Sequence, residues 1–169
     1  TTAALNLHNA LGWPVAEADD FHPAANIAKM SRGVPLTDED RWPWLTSLRD
    51  WMSARAADGI RTIVTCSALK RSYRDLLSEA EGRVFFIHLL ADPDELRERM
   101  AHREGHFMPP ALLPSQFAAL EPLDDDEDGV TVVSRPTPEE TLDAILAALQ
   151  RHLPMLSWNV PNGGFYVWV

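Results

Sequence analysis

Apolar positions along this chain follow two rhythms, a helical spacing near 3.6 residues and short unbroken runs of the kind that fill buried strands. Thr2 to Leu11, rich in alanine and leucine and stopped by Gly12, predicts a helix with a glycine just past its C-terminus. Trp13 to Ala18 reads as a short strand. Thr37-Asp38-Glu39-Asp40 opens a second helix, with Thr37 as N-cap, Asp40 at the third helical position and an acidic first turn that suits the helix dipole. Trp44, Leu45, Leu48, Trp51 and Met52 then recur at helical spacing, which assigns the tryptophans to packing and runs the helix to about Ala57. Ile60 to Cys66 is a buried strand, Lys70 to Ser78 a helix, and Val84 to Leu90 a second apolar strand. Asp92 caps a helix carrying Arg97, Arg99 and Arg103; Val130 to Val133 is a further core strand. Thr137 and Glu140 form a capping box before a helix through Gln150. Unbroken apolar strands separated by helices predict a parallel sheet covered on both faces.

Composition narrows the picture. With 169 residues, 46% of them apolar, one compact domain with a proper core is expected. No stretch approaches the roughly eighteen apolar residues of a membrane span, and no basic-then-apolar leader opens the chain, so a soluble cytoplasmic protein without a membrane partner is the expectation. A formal charge of −10 speaks against a nucleic-acid surface. Cys66, the sole cysteine, lies in an apolar run and reads as a buried strand residue. The run Asp124-Asp125-Asp126-Glu127-Asp128 reads as a solvated loop.

In a parallel α/β sheet, functional groups gather where strands end and loops begin. Asp19-Asp20-Phe21-His22-Pro23-Ala24-Ala25-Asn26-Ile27-Ala28-Lys29, followed by Pro35 to Arg41, brings carboxylates, an imidazole, an amide and two cations into one span. That mixture suits a polyhydroxylated, negatively charged small molecule such as a sugar acid. A second strand end carries Ser67-Ala68-Leu69-Lys70-Arg71-Ser72-Tyr73-Arg74, and a third region Arg99 to Phe107.

These stretches, with Cys66 to Lys70, Tyr73-Arg74-Asp75, Gly105-His106-Phe107 and Ser115-Gln116 leading to Leu120-Glu121, resemble the gluconate kinases of the P-loop small-molecule kinase class, in the family's order and spacing over about residues 1 to 150. The resemblance implies a three-layer α/β/α fold with a parallel sheet and a lid at about 103–121. It implies transfer of the γ-phosphoryl group of ATP to the 6-hydroxyl of D-gluconate, with Mg2+, and leaves room for a homodimer. Thr1 aligns with the hydroxyl residue that ends the family's Gly-rich phosphate loop, so that loop and the family's first, mid-sheet strand are not among the 169 residues. Impaired turnover is the corresponding expectation, with a non-catalytic sugar-acid-binding protein or an inactive fragment as the alternative. Residues 151–169 lie beyond the family's usual end and look weakly aminotransferase-like; Phe165 to Val169 has the composition of a strand able to fill the mid-sheet position.

The resemblance also distributes roles. Asp19 orients the acceptor hydroxyl and accepts its proton; Lys70 is the second catalytic candidate. His22, Arg41, Lys70, Arg74 and His106 are candidates for gluconate or the transferred phosphate, since a planar guanidinium fork suits such anions. Arg99 and Arg103, one helical turn apart, and Arg135 fall on the ATP side, and Thr1 aligns with the metal-coordinating hydroxyl. Two alternatives stay open from the residues themselves: Lys70 as a solvated helix-start cation, and Arg41 paired with Asp38 or Asp40 on its own helix.

Overall fold

The computed structural model describes residues 2–92 and 113–155. Four strands and six α-helices alternate through these residues. Helix α1 (Thr2–Leu11) leads to β1 (Val15–Glu17), a 3-10 turn (Ala18–Phe21), α2 (Ala24–Met30) and the long α3 (Asp38–Ala57). Then come β2 (Ile63–Thr65), α4 (Arg71–Ser78), β3 (Phe86–Leu90), α5 (Leu113–Ala119), β4 (Gly129–Val133) and α6 (Pro138–His152). The strands predicted at Trp13 to Ala18, Ile60 to Cys66 and Val84 to Leu90 form, shorter than the apolar runs suggested, and the one at Val130 to Val133 forms with Gly129 added. Helix α2, the 3-10 turn and α5 were not foreseen, because none carries a long enough apolar period.

Both strand pairs are parallel. β1 lies on β2 with Val15 opposite Ile63, and β3 on β4 with Phe86 opposite Gly129. Among the described residues no ladder joins the β1–β2 pair to the β3–β4 pair. Phe165 to Val169, the strand expected to fill a mid-sheet position, lies outside the described residues, as do the helix expected after Asp92 and most of the expected lid.

Alternation along the strands feeds two separate cores. Ile63, Phe85 and Ile87 join Ala4, Leu7, Ile145, Ala148 and Leu149 beneath α1 and α6. Their neighbours Val64 and Phe86 join Trp44, Leu45, Leu48, Met52, Tyr73 and Leu77 beneath α3 and α4. Side chains one residue apart on a strand point to opposite faces, which makes two apolar layers from each short strand. The result is helices on both sides of a parallel sheet, the three-layer α/β/α arrangement the sequence predicted. Each fully buried Leu or Ile, such as Leu45 or Ile87, contributes about 1.5–3 kcal/mol relative to exposure.

Local signals place the helices that carry chemistry. Thr37 caps α3, its hydroxyl accepting from the Asp40 N–H at 3.4 Å, while the Asp40 carboxylate accepts from the Thr37 N–H at 2.8 Å. The same reciprocal box, Thr137 with Glu140, starts α6. On α3 the buried positions are Arg41, Trp44, Leu45, Leu48 and Met52, a single helical stripe. Arg41 is therefore carried inward by periodicity, as the first member of an otherwise apolar face.

No helix among the described residues is long and apolar enough to cross a membrane.

Candidate active site

Asp19 and His22 sit at the carboxyl end of β1, on and just after the 3-10 turn that ends the strand. The turn is fixed from below by Trp44, whose indole N–H donates to the Ala18 carbonyl at 2.7 Å. Trp44 is wholly buried and its ring stacks on the His22 imidazole, centroids 4.1 Å apart and planes 20° from parallel. Burial, the largest cause, takes the His22 pKa down to about 4; the Asp19 carboxylate pulls the other way and the Arg41 charge pushes further down. The ring is thus neutral at neutral pH, with an acid and a guanidinium as its charged neighbours.

That depression has a sign that can be checked. An unfolded chain takes up the His22 proton near its ordinary value of 6.5 and the folded chain only near 4. Between those values the unfolded state holds more protons, so this group's contribution is complete above about pH 6.5 and is lost as pH falls towards about 4. Urea midpoints measured at pH 7.5 and pH 5 are expected to differ more in the wild type than in His22→Gln, and equal differences would sink this assignment.

Arg41 is 8% exposed. Its two sequence-near carboxylates are both taken by other cations. Asp38 receives Lys70 Nζ at 2.8 Å on each oxygen and the Tyr73 hydroxyl at 2.5 Å. Asp40 receives Lys29 of α2 as well as the Thr37 N–H. The Asp38 carboxyl is held below its ordinary pKa by the hydrogen bond from Lys70, then by that from Tyr73. Asp40 is drawn down to about 2, first by Lys29 and then by the Thr37 backbone. The Arg41 guanidinium lies 5.7 Å from the centre of the Tyr73 ring, and no ion pair or side-chain hydrogen bond occupies it among the described residues. A nearly buried cation with its donors uncommitted, beside an acid and a neutral imidazole, is built to receive an anion.

Lys70 differs from that reading. It is the N-cap residue of α4, but its ammonium is spent on Asp38 and lies 5.6 Å from the Tyr73 ring centre. The pairing of Arg41 with Asp38 or Asp40 that the sequence left open does not occur: Lys70 takes Asp38, Lys29 takes Asp40, and Arg41 takes neither.

Arg74 requires a correction. It is 1% exposed and its guanidinium is consumed within the protein. Nε and Nη2 clamp Glu127 at 2.5 and 2.8 Å; Nη1 donates to the carbonyls of Ala68 at 3.1 Å and Glu121 at 3.0 Å, and Nη2 to that of Pro122 at 3.1 Å. With its donors filled, Arg74 has nothing to offer a substrate anion. The acidic run is likewise more than a solvated loop. Glu127 is the buried partner of Arg74, Asp126 pairs with Arg71 at 2.8 Å, and Asp128 pairs with Arg83 at 2.6 Å. Cys66, as expected, is buried at the end of β2, its thiol pKa raised by that burial above all.

A separate cavity of about 350 Å3 opens between the start of α1 and the β4–α6 connection, lined by Thr2, Ala3, Leu89, Ser134, Arg135, Pro136, Pro138 and Thr141. Arg135 sits on its wall, with its backbone N–H donating to the Thr141 hydroxyl at 2.9 Å. Arg135 therefore joins Thr2, not the Asp19–Arg41 group. Thr1, Arg99, Arg103 and His106 lie outside the described residues.

Asp38, Trp44 and Tyr73 were missed as neighbours of this group, and Asn26, counted in the opening motif, was given no role of its own. Its place four residues after His22, in the first turn of α2, is the signal that links the two. Tyr73 could have been found from its place on the buried stripe of α4 with Arg74 and Leu77.

A three-layer α/β protein with an acid, a neutral imidazole and an uncommitted guanidinium at the strand ends defines a class, small-molecule enzymes that bind at the carboxyl edge of a parallel sheet. No family model matches the chain. A gluconokinase of Gluconobacter oxydans is 45% identical over 150 residues, spanning 89% of this chain and 84% of the relative. The crystal structure of an unliganded sugar kinase from Janibacter superposes with a TM-score of 0.83 at 51% identity, covering 91% of this chain and 88% of that one. A gluconokinase structure from Sinorhizobium meliloti gives 0.77 at 42% identity, covering 89% and 84%. The chain belongs to the gluconokinase family.

Proposed function

We propose that this protein transfers the γ-phosphoryl group of ATP to the 6-hydroxyl of D-gluconate, giving 6-phosphogluconate and ADP. The observation that carries the reading is Arg41, a nearly buried guanidinium whose neighbouring carboxylates are both engaged elsewhere. It receives the gluconate carboxylate, with His22 at the hydroxyls. Asp19 aligns the 6-hydroxyl and accepts its proton as the new P–O bond forms and the bond from the γ-phosphorus to the ADP oxygen breaks. Lys70, bound to Asp38, keeps the first turn of α3 in place beside Tyr73, and so acts through Arg41.

The nucleotide is assigned to the cavity of Thr2, Leu89, Arg135 and Pro136, whose volume of about 350 Å3 falls within the range of small-ligand sites. Mg2+ accompanies ATP as the counterion of its phosphates. Among the described residues no group of three or more His, Cys, Asp or Glu converges on a metal position. Thr1, Arg99, Arg103 and His106 keep the roles their family positions imply.

The test is a coupled ADP-release assay with gluconate, alongside Arg41→Ala. Loss of one charged hydrogen-bonded contact is expected to raise the gluconate KM by roughly ten- to a hundredfold, with the ATP KM little changed. An unchanged gluconate KM would remove Arg41 from the acceptor site. Absence of gluconate-dependent ADP release by the wild-type protein would overturn the function.

A further inference from the structure

We propose that Asn26 is a positioning residue that fixes the tautomer of His22, so that a neutral imidazole presents its Nε2–H to a hydroxyl of the acceptor. The inference deepens the gluconate reading and rests on it for the identity of the acceptor, while the tautomer itself does not.

Asn26 is 5% exposed, a buried amide on the short helix α2. Its Nδ2 donates to the Asp40 backbone carbonyl at 2.8 Å and lies 3.4 Å from His22 Nδ1. The Asp40 carbonyl can only accept, so it determines which end of the Asn26 amide is nitrogen. That nitrogen carries two hydrogens and no lone pair to offer. The imidazole atom facing it must therefore be the acceptor, which leaves the ring proton on Nε2. Trp44 holds the ring plane by stacking on it, and is itself tied to the turn that carries Asp19.

The charged groups around this arrangement act consistently. Asp19 and Arg41 face the ring, with opposite effects on its protonation. Beyond Asn26, the Asp40 side chain is occupied by Lys29 and the Thr37 N–H, so only its backbone carbonyl is turned to the amide. Had Asn26 served only to fasten α2 to α3, the bond to Asp40 would suffice and the imidazole would be indifferent to its replacement.

The experiment uses the full chain labelled with 15N and long-range proton–nitrogen correlation of the His22 ring. Wild type is expected to show the Nε2–H form between pH 6 and 8. Asn26→Asp places an acceptor opposite Nδ1 and is expected to shift the ring towards Nδ1–H, to raise its titration midpoint, and to raise the gluconate KM about tenfold while the ATP KM stays within about twofold. Asn26→Ser, which is smaller and uncharged, serves if the aspartate variant does not fold, and is expected to give a mixture of tautomers. A wild-type ring protonated on Nδ1 overturns the proposal, as does either variant keeping the wild-type tautomer and gluconate KM. The expected tautomer in a protein that does not use gluconate would leave Asn26 in its role and discard the acceptor instead.

Discussion

Replacing Asp19 by asparagine is expected to lower kcat by about 10²- to 10⁴-fold while leaving the gluconate and ATP KM values within a few-fold, the range for removing a positioned general base. The reason lies in what else stands at the end of β1. His22 also stands there, and with its pKa near 4 a neutral imidazole is a weak base. Arg41 cannot accept a proton at all. An amide at position 19 retains the shape and one acceptor oxygen, so binding survives and proton acceptance does not. Steady-state kinetics, with calorimetry to confirm that gluconate still binds, decide the matter. A kcat within tenfold of wild type would mean that the hydroxyl proton leaves by another route and that Asp19 is a turn residue.

Arg74→Ala is expected to cost about 3–5 kcal/mol of stability, the typical penalty for removing one partner of a buried ion pair. The Arg74 and Glu127 side chains are 1% and 5% exposed. Truncation leaves the Glu127 carboxylate inside the protein and strips donors from the carbonyls of Ala68, Glu121 and Pro122. Burial alone would raise the Glu127 pKa, yet the bonds from Arg74 and from the Asp124 N–H, with the charges of Arg74 and Arg71, carry it below its ordinary value. Without Arg74 the balance reverses, and Glu127 is expected to take up a proton more readily. Urea unfolding at neutral pH reads the loss directly. The double replacement Arg74→Met with Glu127→Leu should regain much of it, because two apolar groups of similar bulk do not need each other's charge. A change below about 1 kcal/mol in Arg74→Ala would show that the pair is no better than a surface contact.

The contrast between Arg41 and Arg74 shows how far residues speak without coordinates. Both arginines follow strand-end motifs, and both sit on the buried stripe of their helix, Arg41 with Trp44 and Leu48, Arg74 with Tyr73 and Leu77. Periodicity announces that each is buried. It is silent on what each meets there. The partner of Arg74 is Glu127, in an acidic run whose composition suggested only solvation. Arg41 has acids at 38 and 40 close in sequence, and loses both to lysines at 70 and 29. Pairing of that kind is decided by tertiary approach, which is why the longer helices, the parallel strands and the placing of Asp19 and His22 at a strand end were legible while the partners of the cations were not.

The cap at Asp40 carries one more consequence. A single carboxylate secures the start of α3 and the lysine of α2, and the same residue's carbonyl secures Asn26. On the proposed reading, the wall that meets the acceptor is thereby tied together by hydrogen bonds before any ligand arrives. Much of the ordering entropy of recognition has been surrendered before any ligand appears, so association on this side should resemble a key entering a finished lock.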